Sequence, residues 1–172
     1  MKHRRQDDAF SAFFAVEADR IQRFAIFNCG DADLAADLAQ EALARTYCVW
    51  SRVENDEPGA YARRIVVNML RDRHRRERVR RLKPLGALPS STPSKEGASL
   101  DRLSMTELLK TLPPVQRAVV VLRFYEDMAE KQIADLLDRP LGTVKSDLHR
   151  ALKALRPLIA AERQDTGGTR GN

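Results

Sequence analysis

From Leu82 to Ser99 the apolar rhythm of this chain stops. Pro84, Gly86, Pro89, Ser90, Ser91, Thr92, Pro93, Ser94 and Gly97 fall in that stretch. Proline cannot continue a helix interior, and glycine and serine favour flexible coil, so no regular element is expected to cross it. A 172-residue chain broken at that point predicts two small cores and a tether rather than one shared core. On both sides of the break, apolar residues recur at helical spacing, and the alternation expected of half-buried strands is nearly absent. The expectation is an all-α fold of two small helical domains joined by a flexible linker. The expected bounds are 1–81 and 100–162 for the domains, 82–99 for the linker and 163–172 for a disordered tail.

The totals narrow the class. Hydrophobic residues make up 43%, ordinary for a globular protein. No apolar run approaches the roughly 20 residues that span a bilayer. The opening Met-Lys-His-Arg-Arg-Gln-Asp-Asp leads into an amphipathic pattern, not a signal-peptide apolar stretch. Cytoplasmic residence without membrane insertion is the expectation. Cys29 and Cys48 are too far apart for a Cys-x-x-Cys pair and suggest neither a disulfide framework nor a zinc knuckle. His3, His74 and His149 have no second ligand at metal spacing. No cofactor and no metal are expected, and no catalytic constellation is apparent: no Walker loop and no activated nucleophile.

Charge is concentrated in one place. Between Tyr61 and Lys83, ten arginines and lysines face only Asp72 and Glu77. That segment carries +8, more than the whole chain's +6, which leaves the remainder near −2. A one-signed local patch with too few acids to neutralise it points to a polyanion partner.

The first helix is expected from about Asp8 to Phe27. Phe10, Phe13, Phe14, Ile21 and Phe24 form an apolar stripe along it that reads as core. Asn28-Cys-Gly30 should stop that helix and Asp31 should cap the next, which runs to about Trp50. On this second helix Leu34, Leu38, Ala42 and Trp50 point inward. Asp33, Asp37, Gln40, Glu41 and Ala44 make a separate stripe, acidic in its first half. That stripe suits either solvent and the helix dipole or a docked protein. After a loop over 51–59, a third helix begins near Ala60 with Ala62, Ile65, Val66, Met69 and Leu70 as its core face. Arg64, Asn68, Arg71 and Arg75 occupy another stripe of that helix. Arginine pairs with phosphate and stacks on bases, and asparagine can hydrogen-bond a base edge.

Past the break, a short helix is expected near Leu100 to Leu109. Pro113-Pro114 ends it, with Pro114 in the first turn of the next helix, Val115 to about Tyr125. A helix-turn-helix follows. Pro140 should block its first helix, Gly142 should adopt backbone angles that other residues resist, and Thr143 should cap the second helix. Val144, Leu148, Ala151, Leu152 and Leu155 form the inner stripe of that second helix. Lys145, Ser146, His149 and Arg150 lie off it, as a helix reading a DNA major groove requires.

Four motifs in this order resemble a bacterial RNA polymerase sigma factor of the compact extracytoplasmic-function (ECF) type. They are Asp37-Leu-Ala-Gln-Glu-Ala-Leu43, the helix Ala60 to Asp72, Leu112-Pro-Pro-Val-Gln-Arg117 and Gly142-Thr-Val-Lys-Ser146. The resemblance covers roughly residues 8–160 and implies a non-enzymatic protein that directs promoter-specific transcription initiation. It implies that Asp37, Gln40 and Glu41 bind core RNA polymerase, on the β′ coiled coil, with the β subunit a further partner. It implies that Arg64, Asn68, Arg71 and Arg75 contact the −10 element of promoter DNA, and that the loop Val53 to Gly59 receives a flipped base. That loop has no aromatic residue, although Trp50 and Tyr61 flank it, so a polar pocket is expected. Lys145, Ser146, His149 and Arg150 would read the −35 element. An anti-sigma factor is a further partner common in the family.

Two positions depart from the pattern. Gln132 stands where the family commonly has an acid, with little consequence expected for the fold. Asp147 stands where a basic residue is common. From sequence it would either repel phosphate or accept from a cytosine amino group. The competing reading is a conventional dimeric helix-turn-helix regulator, which would need a dimerisation helix or a ligand pocket.

Overall fold

The structure, a computed structural model, describes residues 2–82 and 100–167, with side-chain surroundings for 5–80 and 105–160. The linker expected over 82–99 therefore lies outside the described residues from position 83 onward, as do 168–172. Among the described residues there are eight helices and no strand. The chain divides into two compact units, Met1–Ala98 and Ser99–Asn172.

The first unit contains α1 (Lys2–Cys29), α2 (Ala32–Cys48), α3 (Trp50–Val53) and α4 (Pro58–Leu82). Gly30 ends α1: its φ of 69° is open to a residue without Cβ, and its N–H bonds the Ile26 carbonyl at 2.7 Å. Asp31 then caps α2, its carboxylate accepting from the Leu34 N–H at 2.9 Å. Ile21, Phe24, Ala35, Ala42, Ala62 and Val66 are fully buried at the centre of this unit. Burying a side chain such as Ile21 or Phe24 stabilises by about 1.5–3 kcal/mol. The aromatic stripe of α1 is only partly core, because Phe14 remains 47% exposed. Phe10 and Phe13 reach sideways instead, with Phe10 edge-on to Trp50 at 5.2 Å and Phe13 at 5.1 Å from the same ring.

The second unit contains α5 (Leu100–Lys110), α6 (Pro114–Phe124), α7 (Glu130–Leu137) and α8 (Leu141–Gly167). Val119, Leu122, Ile133, Val144 and Ala151 are fully buried where α6, α7 and α8 meet. Pro114 opens α6, where a missing N–H costs nothing. Gln132 continues to serve the start of α7, its side-chain oxygen accepting from the Ala129 N–H at 2.8 Å.

The turn between α7 and α8 differs from expectation. The left-handed residue is Asp138, at φ 52°, not Gly142. Aspartate tolerates that region better than most residues. Gly142 lies inside the first turn of α8, and Thr143 is not its cap. The N–H groups of Thr143 and Val144 bond the Pro140 carbonyl at 2.9 and 3.2 Å. Pro140 thus starts α8, while α7 is closed before it by Asp138, with the Arg139 N–H bonding the Ala134 carbonyl at 2.9 Å. At its other end α8 runs to Gly167, so the segment expected to be disordered from 163 is helical as far as it is described. From Arg156 to Ala160 its side chains are exposed.

Candidate nucleic-acid and protein interfaces

Three surfaces gather the residues that the sequence singled out. The first lies on α2. Asp37, Gln40 and Glu41 are all exposed, so the stripe is real and faces outward. Glu41 is held by Arg45 at 2.6 Å, one turn along the same helix. Beside the stripe an apolar groove of about 380 Å³ runs between α1 and α2. Phe14, Ala36, Leu43 and Tyr47 wall it, and Gln40 stands on its lining. Tyr47 donates to the Asp7 carboxylate at 2.6 Å. That hydrogen bond, reinforced by the carboxylate charge, raises the phenol above its ordinary value.

The second surface is α4. Its early part is fixed from within. Arg63 belongs to the basic segment in sequence, but it is buried, and its guanidinium donates to Glu17 of α1 at 2.8 Å. Gly59 allows this closeness. A Cβ there would stand 2.6 Å from Arg63 Nη1 and 3.0 Å from Glu17 Oε2. With Ala62 and Val66 at 0% exposure on the same side, one face of α4 is locked against α1 and α2. From Arg71 to Arg80 every residue is exposed, six of them arginine. The helix has left the core and presents cations around its circumference.

Of the expected stripe, Asn68, Arg71 and Arg75 are exposed and Arg64 is half-buried. None of these three arginines has an ion-pair partner among the described residues, whereas Arg73 is tied to Glu77 at 3.3 Å. The exposed Arg76, Arg78 and Arg80 belong to the same surface although the stripe did not include them; one-signed charge density was their signal. At the start of α4, Glu57 takes a left-handed φ of 49° just before Pro58. The residues of the preceding loop are largely exposed, while Trp50 is only 3% exposed and enclosed by Phe10 and Phe13. Trp50 therefore has no free face on which a base could stack.

The third surface is the outer side of α8. Lys145, Ser146, His149 and Arg150 are exposed, while Val144, Leu148 and Ala151 face inward. The Ser146 hydroxyl donates to the Gly142 carbonyl at 2.9 Å, leaving its lone pairs free to accept. Asp147 does not share this surface. It is 7% exposed, and its carboxylate accepts from Arg139 at 2.6 Å. The expectation of a carboxylate facing phosphate or cytosine is corrected by that partner. Arg139, in the turn, was not singled out from sequence. Its one signal was an arginine beside Pro140, eight positions before an acid on the next helix.

Among the described residues no helix is long and apolar enough to cross a membrane, and no group of three metal-ligating side chains converges.

Comparison with known proteins matches both units. Residues 13–80 match the family described as Sigma-70 region 2, and residues 102–155 match Sigma-70, region 4. An RNA polymerase sigma-E factor of Streptomyces coelicolor is 37% identical over 159 residues, covering 91% of this chain and 89% of that protein. The ECF RNA polymerase sigma factor SigL of Mycobacterium tuberculosis is 34% identical over 168 residues, covering 92% and 91%. Among solved structures, the sigma factor RpoE of Bartonella quintana, crystallised with the anti-sigma factor NepR, has the same fold. Its TM-score is 0.68 at 23% identity, over 88% of this chain and 96% of that one.

Proposed function

We propose a division of labour among these three surfaces for a chain that belongs to the ECF RNA polymerase sigma factors. It directs promoter-specific transcription initiation by RNA polymerase. The chain itself does no covalent chemistry, and nucleotidyl transfer is left to the polymerase.

The face of α2 with Asp37, Gln40 and Glu41 docks core polymerase on the β′ coiled coil, and the groove between α1 and α2 adds apolar area to that contact. The arginines and Asn68 of α4 take the −10 element. Opening duplex costs on the order of 1–2 kcal/mol per stacked step. Arg64, Arg71 and Arg75 offset that cost by holding the phosphates of the released strand, while Asn68 hydrogen-bonds a base edge. With Trp50 enclosed, the captured base is held by the polar loop over 53–59 rather than by stacking on that ring. The outer face of α8 enters the major groove at the −35 element, with Lys145, Ser146, His149 and Arg150 as its contacts. The β subunit is the further contact on polymerase, and an anti-sigma protein is a regulator suited to the same exposed faces.

The observation that carries this reading is α4: anchored on one side by a buried ion pair and fully exposed from Arg71 to Arg80 with six arginines. A solvated helix has no need of so much unpaired charge of one sign. Reconstitution with core polymerase tests it. Transcript starts gained on adding the chain should share two upstream elements, and the chain alone should shift promoter DNA weakly. A strong shift by the chain alone, as a dimer, with no new starts, would favour the conventional regulator.

A further inference from the structure

We propose that Asp147 is a positioning residue for −35 reading, acting through Arg150 and clamped from the turn by Arg139; the inference rests on the assignment of α8 to the −35 element. Asp147 lies at the border of two faces of α8. Val144 and Leu148 beside it are buried, and Ser146, His149 and Arg150 beside it are exposed. Its side chain is only 10% exposed, and each carboxylate oxygen faces a different arginine. Oδ2 accepts from Arg139 Nη1 at 2.6 Å, and Oδ1 faces Arg150 Nη1 at 3.7 Å.

The two contacts differ in kind. The short one crosses between elements, from the turn before Pro140 to the recognition helix. A carboxylate so enclosed needs a partner, and a charge-assisted hydrogen bond of that length provides one. A cytosine amino group would have to displace a guanidinium to reach the same oxygen. Direct base reading by Asp147 is therefore the poorer explanation of an acid at this site.

The longer contact runs along the helix to a side chain that is 67% exposed. An exposed pair at that spacing contributes little stability. What it does is restrict a long side chain. Arginine has five donors in a rigid fork, so one edge turned toward Asp147 leaves the other edge for the two acceptors of a guanine. Because Arg139 fixes the carboxylate from a second element, the direction given to Arg150 does not depend on α8 alone. Base preference at the −35 element is then set partly by a residue that touches no base, and partly by a turn residue.

The test uses holoenzyme reconstituted with core polymerase and a set of promoters carrying every base pair at each −35 position. Asp147→Asn keeps the side chain's shape and an oxygen for Arg139, but turns an amide toward Arg150 or loses its attraction. The expected result is a preference flattened by about tenfold at one base pair, the one that Arg150→Ala also flattens, consistent with the discrimination a bidentate arginine–guanine pair gives. In the Arg150→Ala background, Asp147→Asn should change that preference no further. Arg139→Ala, which leaves both helix residues in place, should flatten the same base pair.

Full preference retained in Asp147→Asn would overturn the inference. So would an effect of Asp147→Asn that persists undiminished without Arg150, because the carboxylate would then read the base itself. If Arg150→Ala leaves −35 use unchanged, the assignment of α8 fails and the inference falls with it. Loss of preference only in Arg150→Ala sinks the inference and leaves the assignment standing.

Discussion

Replacing Glu17 with alanine should destabilise the first unit more than any ordinary surface change. The ion pair it forms with Arg63 joins α1 to α4 at 2.8 Å, with side-chain exposures of 15% and 7%. Its other oxygen holds Arg20 at 3.0 Å, but that arginine is half exposed, so the contact adds little. Removing one partner of a buried pair leaves a guanidinium short of its counter-charge, at a cost of about 3–5 kcal/mol. The residual exposure of Glu17 admits water after truncation and favours the lower end, about 3 kcal/mol. For a unit of this size each kcal/mol moves the melting temperature by about 4–8 °C, so a fall of roughly 12–24 °C is expected. Thermal unfolding followed by far-ultraviolet circular dichroism measures it. Gly59→Ala should disturb the same pair, since its Cβ would meet Arg63 Nη1 at 2.6 Å. The two substitutions together should then cost less than their sum. A fall below about 4 °C for Glu17→Ala, or strict additivity with Gly59→Ala, would refute the idea that this pair anchors α4.

Other outcomes follow from the two surfaces proposed for the first unit. Arg71→Ala should lower the slope of log affinity against log salt for holoenzyme on −10 single strand by about 0.7, one released counterion contact; an unchanged slope would mean that Arg71 stays solvated. The Tyr47 phenol is held above its ordinary value of 10.0, chiefly by its hydrogen bond to Asp7. A raised folded pKa means the neutral phenol is the favoured folded form. Its contact is therefore intact below the ordinary value and is lost as pH rises through the raised one. Asp7→Ala should lower the titration toward 10.0, read as phenolate absorbance against a Tyr47→Phe background; no movement would mean the pairing with Asp7 does not govern it.

Helical stripes were readable because burial follows a fixed period. Leu38, Ala42, Ala62, Val66, Val144 and Ala151 are all buried where the spacing put them. Asp31 and Gly30 were readable because a helix end needs an acceptor and a left-handed residue. What the spacing missed depends on partners distant in sequence. Arg63 looked like one more cation in a patch, yet its carboxylate lies 46 positions earlier, on α1. Asp147 looked like a DNA-facing acid, yet Arg139 folds across the turn to cover it. Gly142 was the obvious residue for a left-handed turn, yet Asp138 takes that conformation, because Pro140 already starts α8 one residue later at Leu141. Phe14 fits the period of the α1 core but remains exposed at the groove beside α2. Periodicity reports which face of a helix is apolar, not whether a neighbour covers it.

The division of labour stands or falls on separating polymerase binding from promoter reading. Arg150→Ala and Glu41→Arg should be compared in two assays: affinity for core polymerase, and transcription from a promoter that needs its −35 element. Arg150→Ala should bind core as the parent chain does and lose −35-dependent transcription. Glu41→Arg should lose affinity for core, and recover transcription when core is supplied in excess. Loss of core binding by Arg150→Ala, or unimpaired core binding by Glu41→Arg, would contradict the assignment of these two surfaces.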